Sequence, residues 1–308
     1  MPFTKFTNLD FDQIKESIKS YLRANSEFTG FDFEGSNFSV LIDTLAYNTY
    51  ITAINSNMVI NESFLDSATV RENVVSLARN VGYVPRSRTA AKASVNFPIT
   101  TDLSSDKDTQ TIYLKAGLVC TGNQSNSTYS FSIPDDIEAS LVSNAANFGT
   151  SVNPITVYQG TYLSKEFIVD GSIDQRFILD NSYIDTSTIV VYINTPISSG
   201  VYRTGKGVLY NKVDNILNID KNSEIYLIQE VQDERYELLF GDGIFGKKLE
   251  NEAKVTVQYI ITDGKEGDGP SNFTFSGSIE DANNNSISPT SAPSVNTVSR
   301  ASNGGDIE

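Results

Sequence analysis

The side chains that could do chemistry are few, and their types narrow what this chain can catalyse. Its 308 residues include no His, which removes Ser-His-Asp and Cys-His arrangements and every imidazole metal ligand. With Cys120 as the single cysteine, zinc would have to rely on carboxylates and one thiol, a poor donor set. Carboxylates and lysines remain. Asp32 and Glu34 alternate with aromatic rings, but a solvated loop face explains them better than acid–base work. A two-carboxylate hydrolase needs a pair at a set separation in a cleft, and nothing in the sequence singles one out. No catalytic residue, cofactor-binding residue, metal ligand or cofactor is assigned, and the chain reads as a non-enzyme.

Three glycine-rich stretches imitate ligand-binding motifs. Gly200–Lys206 has the spacing of a phosphate-binding loop, but Gly207 stands where Ser or Thr should meet magnesium, and no amphipathic helix follows. Gly241–Gly246 fits G-x-G-x-x-G after the strand-like ELLF. A dinucleotide site needs that third glycine to open a helix; here Lys247–Glu250 leads towards another strand, so a turn between strands is expected. Asp263–Gly269 gathers acids and glycines without the ligand ladder of a calcium loop, and reads as a tight turn.

Bulk properties agree with a folded, non-catalytic protein. The hydrophobic fraction is 39% and the aromatic fraction 10%, and the length suits one large domain or two ordinary ones. A net charge of −15 disfavours nucleic acid and anionic membrane surfaces as partners. One cysteine excludes an intrachain disulfide framework. There is no signal-like N-terminus and no run of membrane-spanning length, so the expectation is a soluble protein made in the cytoplasm.

The elements that carry the remaining signal are helices. Phe11, Ile14, Ile18, Tyr21 and Leu22 fall at helical spacing over residues 10 to 25, where Asp10 and Gln13 resemble a capping box. An aromatic loop follows, with Phe28, Phe31 and Phe33 available to pin it. Ser36 to about Asn61 predicts a longer helix with two apolar stripes: Phe38, Leu41, Ile42 and Leu45, then Tyr47, Ile51, Ile54 and Met58. A helix apolar on two sides is buried between neighbours or gives one side to a partner chain. A third helix is expected from Ser67 to Val81, stopped by Gly82 and Pro85. Arg71 to Lys92 carries five basic side chains and one acid. Docking on an acidic protein surface, or ordinary solvation of a helix end, explains that better than phosphate binding.

After Thr89 the period changes from helical to alternating. Ala91, Ala93, Val95, Phe97 and Ile99 predict a half-buried strand. Further strands are expected at 111–114, 129–133, 155–158, 166–169, 176–179, 188–193, 224–231, 236–240 and 254–261. A short helix is expected at Asp135–Val142, with loops at Thr121–Thr128 and Ser143–Asn153. The fold class is α+β: an N-terminal helical docking module (1–90), a mainly antiparallel β-rich domain, sandwich or barrel-like (91–275), and an extended C-terminal arm or linker (276–308) rich in Ser, Asn, Pro and Gly.

The run GSNFSVLIDTLAYNTYITAINSNMVINESFLDSATVRENVVSLARNVGYVPRSRTA resembles the N-terminal region of the baseplate wedge family of T4-like contractile-tailed phages. LLFGDGIFGKKLENEAKVTVQYIITDGKEGDG and the terminal SNGGDIE look like the related baseplate J-like family. The resemblance covers both ends of the chain well and the middle loosely. It implies a structural virion protein of the tail baseplate, assembled in the host cytoplasm. Such a protein joins copies of itself and other wedge subunits into the inner ring around the tail tube, with no cofactor and no catalysis. In that family the final glycine pair leads into a further, largely helical region absent here. The resemblance therefore implies a fragment, a split gene product or a truncated homologue.

On this reading the partner-interface residues are Phe38, Leu41, Leu45, Tyr47, Ile51 and Ile54, then Arg79, Arg86 and Arg88. An intrachain core would use the same apolar positions. An alternative from another class is a carbohydrate- or receptor-binding tail module on the β-domain, with exposed Tyr158, Tyr162, Tyr202 and Tyr210 lining a groove.

Overall fold

The computed structural model describes residues 10–25, 32, 33, 35, 37–81, 83, 85–102, 110–124, 127–172, 174–213 and 219–307. The chain forms two compact units, Met1–Val84 and Pro85–Glu308: helices come first and mainly antiparallel strands follow.

In the first unit, α1 (Phe11–Ala24), α2 (Phe38–Glu62) and α3 (Arg71–Asn80) stand where the periodicity places them. The capping box is not formed: Asp10 is extended at the N-cap, but its side chain makes no cap bond. The third helix starts later than Ser67 because Glu62 captures the chain before it. The Glu62 carboxylate accepts from Thr69 N–H (2.9 Å), Thr69 Oγ1 (2.7 Å) and Asn73 Nδ2 (2.8 Å). These bonds replace the helical bonding of the corner and hold its carboxyl down at about 2. Phe33 is buried, its ring centroid 6.3 Å from that of Phe38 and the Arg23 guanidinium 5.8 Å above it. Phe28, Phe31, Glu34 and Gly82 lie outside the described residues.

The second unit opens with β1 (Lys92–Thr100), β2 (Gln110–Leu114), β3 (Gly117–Gln124), β4 (Ser127–Ile133) and β5 (Ile137–Leu141). Then come β6 (Ala145–Phe148), β7 (Ile155–Gln159), β8 (Thr161–Ile168), β9 (Phe177–Leu179) and β10 (Val190–Asn194). A small hairpin of β11 (Pro196–Ser198) and β12 (Val201–Tyr202) precedes β13 (Val208–Lys212), β14 (Ile225–Glu230) and β15 (Tyr236–Phe240). The last are β16 (Lys254–Ile261), β17 (Phe273–Phe275), β18 (Ile279–Asp281) and β19 (Asn296–Ser302).

These strands make two principal sheets. The first runs β17-β3-β4-β7-β1-β19, with β6 also on β1. Its core gathers Val95, Phe97, Ile99, Phe131, Phe148 and Val157, all at most 2% exposed. The second runs β8-β16-β10-β13-β14-β15-β9, antiparallel except for β13 beside β14. It curls until its first and last strands meet. Phe167 of β8 packs edge-on against Phe177 of β9 at 5.5 Å, and Lys165 Nζ donates to the Ile178 carbonyl at 3.0 Å. Side chains thus close a seam that backbone bonds leave open, around a core of Val191, Tyr226, Tyr236, Val255 and Val257.

Local expectations fail where apolar content is low. Asp135–Val142 contains β5, not a helix: Ile137 and Leu141 alternate with polar residues and pair antiparallel with β2. Polar Thr121–Gln124 and Ser127–Thr128 extend the β3–β4 hairpin, in register from Asn123↔Thr128 to Gln124↔Ser127. The expected loop Ser143–Asn153 holds β6, whose Ala146 and Phe148 are buried against β1. Residues 276–307 run largely extended along the β-unit, with β18 on β2 and β19 antiparallel to β1.

The glycine-rich stretches are turns serving this architecture. A Cβ on Gly241 would lie 2.2 Å from the Gly246 carbonyl carbon, so the turn closes on bare backbone, leaving no cradle for a pyrophosphate. In the acidic turn, Asp268 Oδ1 accepts from Gly304 N–H at 2.8 Å and Asp263 Oδ2 from Gln159 Nε2 at 2.7 Å. Those carboxylates hold the C-terminal segment and a neighbouring strand. Lys206, the lysine of the phosphate-loop look-alike, is ion-paired with Asp135 and Asp136.

Candidate functional site

The most unusual surface lies on α2. Its buried residues form one narrow line, Ile42, Ala46, Ala53 and Asn61, and small side chains there let the helix sit close to its neighbours. The large apolar side chains fall on both flanks of that line. Val40, Leu41, Leu45, Tyr47, Ile54, Met58 and Val59 are all 43% exposed or more. Isolated exposed leucines are ordinary, but seven large apolar side chains exposed on one helix mark an interaction surface.

The polar groups of α2 do not counteract this character. Thr44, Thr49, Thr52 and Ser56, and Ser63 just past its end, each donate their hydroxyl to the carbonyl four residues earlier, at 2.7–2.9 Å. Such back-bonding turns a hydroxyl inward and leaves mainly its carbon atoms outward. The only acids, Asp43 and Glu62, are committed, Asp43 to Lys15 at 2.6 Å and Glu62 to the corner before α3. The helix presents no uncommitted charge, so burying either flank against protein would strand none.

On one flank, Phe38, Leu41 and Leu45 form with Ile18, Tyr21 and Leu22 of α1 an open groove of about 460 Å³. Tyr21 is 79% exposed at its edge. The α1 residues carried the helical signal, but single-helix periodicity does not reveal that two helices share a groove. On the other flank, Tyr47 and Ile54 are exposed and Ile51 half-buried. The six apolar residues picked from sequence therefore occupy both flanks rather than one patch, while Ile42, of the first stripe, belongs to the core.

The basic residues divide between the units. Arg79 lies on α3, and its side chain is outside the described residues. Arg86 is exposed. Arg88 is half-buried, its guanidinium 4.3 Å from the centroid of the Tyr183 ring. That stacking anchors Arg88 within its own β-unit.

The four tyrosines proposed to line a glycan groove do not converge. Tyr210 is 4% exposed inside the second core, where the Phe240 ring packs on it. Tyr158, Tyr162 and Tyr202 are half-buried on three separate strands, and Tyr202 donates its hydroxyl to the Glu252 carbonyl at 2.9 Å. Alternation along a strand says which residues share a face, but not which face the second layer covers.

The chain is similar to known baseplate proteins, over its helices and beyond them. Residues 10–83 match the model of the baseplate wedge protein gp6-like helical domain. The baseplate wedge protein gp6 of Enterobacteria phage T4 is 26% identical over 292 residues, covering 89% of this chain. The chain spans about two fifths of that relative, 41% of its length.

Proposed function

We propose that this chain is a structural subunit of a contractile-tail baseplate, positioned in the virion after assembly in the host cytoplasm. Its helical unit docks through the flanks of α2 onto other wedge subunits and copies of itself, and so links neighbouring wedges into the inner ring. The observation that carries this is the helix itself: large apolar side chains exposed on both sides and every charge committed. Two flanks allow two partners at once, which a subunit joining neighbours needs. Likeness to a baseplate wedge protein supports the same reading and an absence of catalysis.

Co-expression with the other wedge proteins of the same phage, followed by native mass measurement, tests it. Leu41→Ser with Leu45→Ser should remove one contact, and Tyr47→Ser with Ile54→Ser the other, each lowering the mass of the complex while circular dichroism is unchanged. Retention of the full complex by both double variants would sink the docking role.

A further inference from the structure

Outside the helical surface, the second unit carries a cleft of about 340 Å³ with its own chemistry. Its floor is the outward face of β16 and β10, where Lys254, Thr256 and Gln258 lie in line, with Tyr192 opposite Thr256 in register. Its roof is the β11–β12 hairpin and the turn after it, bearing Tyr202 and Arg203. That roof is fixed in place: Asn194 Nδ2 donates to the Arg203 carbonyl at 2.9 Å and to the Gly205 carbonyl at 3.3 Å. Tyr202, tied to the Glu252 carbonyl, fastens it from the other side.

The charged groups of this cleft are paired, with one exception. Lys206 is paired with Asp135 and Asp136, and Lys254 with Glu166 at 2.7 Å. Arg203 is exposed at the rim, and its guanidinium has no partner among the described residues. In a chain of net charge −15, one unpaired guanidinium over a recess is a local exception. Gln258 supplies a second unmet group: it is 7% exposed, and its Oε1 accepts no hydrogen bond.

We propose that this cleft binds a carboxylate, held by the Arg203 guanidinium, with hydroxyl or amide donors of the same ligand meeting the Thr256–Gln258 floor. One free positive charge suits a monoanion better than a phosphate dianion, and the planar guanidinium matches a carboxylate in fork geometry. The volume admits a single small ring or one acidic side chain. A free hydroxycarboxylate and a Glu or Asp side chain of a neighbouring polypeptide share this chemistry.

The full chain, isotope-labelled so that the Arg203 Nε–H resonance is followed by NMR, is titrated with four probes. These are D-glucuronate, N-acetylglutamate methylamide, D-glucose and inorganic phosphate. Both carboxylates should shift the resonance saturably in the millimolar range, glucose should not, and phosphate should bind more weakly than either. Arg203→Gln, followed by calorimetry with unchanged thermal unfolding, should weaken carboxylate binding about tenfold or more. Glucuronate binding tighter than the glutamyl probe identifies a free ligand; the reverse identifies a neighbouring acidic side chain. Absence of saturable carboxylate binding, tighter binding of phosphate, or affinity unchanged in Arg203→Gln overturns the assignment. None of these readouts involves α2, so the outcome is independent of the docking role.

Discussion

The Asp185 carboxylate, 1% exposed, accepts a hydrogen bond from the backbone N–H of Ala90 at 2.8 Å, across 95 residues of chain. Its other oxygen accepts from Ser187 N–H at 2.9 Å, capping the short turn before β10. Beside it, Ser87 Oγ meets Thr186 Oγ1 at 2.9 Å and accepts from Thr186 N–H at 3.0 Å. The chain leading into β1 is thus laid on the second sheet by polar groups that are almost all satisfied internally. A buried seam of this kind fixes geometry, because any misplacement strands a donor or acceptor.

Removing that carboxylate should loosen the β-unit. Asp185→Ala leaves the buried Ala90 N–H without an acceptor, a penalty of about 1–3 kcal/mol. Asp185→Asn keeps one acceptor oxygen and should fall between the variant and the parent. Urea unfolding followed by tyrosine fluorescence reads the order; an Ala variant as stable as the parent would mean that the seam is held elsewhere.

The corner between α2 and α3 should respond to acid. Side-chain bonds from Asn73 and Thr69 hold the Glu62 carboxyl at about 2, against 4.5 for the free group. Between those values the unfolded chain binds more protons than the folded one, so the stabilisation present above pH 4.5 is lost as pH falls towards 2. Helical circular dichroism of Glu62→Gln should show a weaker acid transition over that window than the parent. Identical acid profiles would remove Glu62 as the cause.

Cys120 should report on the β-unit. It is fully buried in the first core, and burial pushes its thiol up to about 12. Only thiolate reacts readily, so iodoacetamide should label the native chain slowly at neutral pH. Labelling should rise along the denaturant curve together with the loss of β-structure. Rapid modification of the native protein would contradict the packing around β3.

How much of this was legible beforehand follows residue chemistry. The helices declared themselves because α1 and α2 repeat apolar residues over several turns, and β1 because Ala91 to Ile99 alternate without interruption. The strands that escaped notice are held by pairing rather than by pattern. β19 has one buried residue, Ala301, yet is locked by its register with β1 and by the Gly304 and Gly305 contacts to Asp268 and Thr89. Asp185 was invisible for the same reason: its partner at Ala90 is a backbone group, which no side-chain motif encodes. On α2 the two stripes were readable, but their division into core and surface depends on where α1 lies, which periodicity within one helix does not carry.

That division gives the sharpest contrast to test. Ile42 and Leu45 are three residues apart on the same helix and both aliphatic, but Ile42 is 1% exposed and Leu45 48%. Ile42→Ala removes most of a buried side chain and leaves a cavity, and should cost about 2–5 kcal/mol. Leu45→Ser removes a side chain half in water, and should stay within about 0.5 kcal/mol of the parent. If Leu45 serves a partner, the second substitution should spare folding and weaken assembly, whereas the first should lower the melting temperature of the isolated chain. Thermal unfolding of both variants decides it: equal destabilisation would place Leu45 in an intrachain core and remove it from the docking surface.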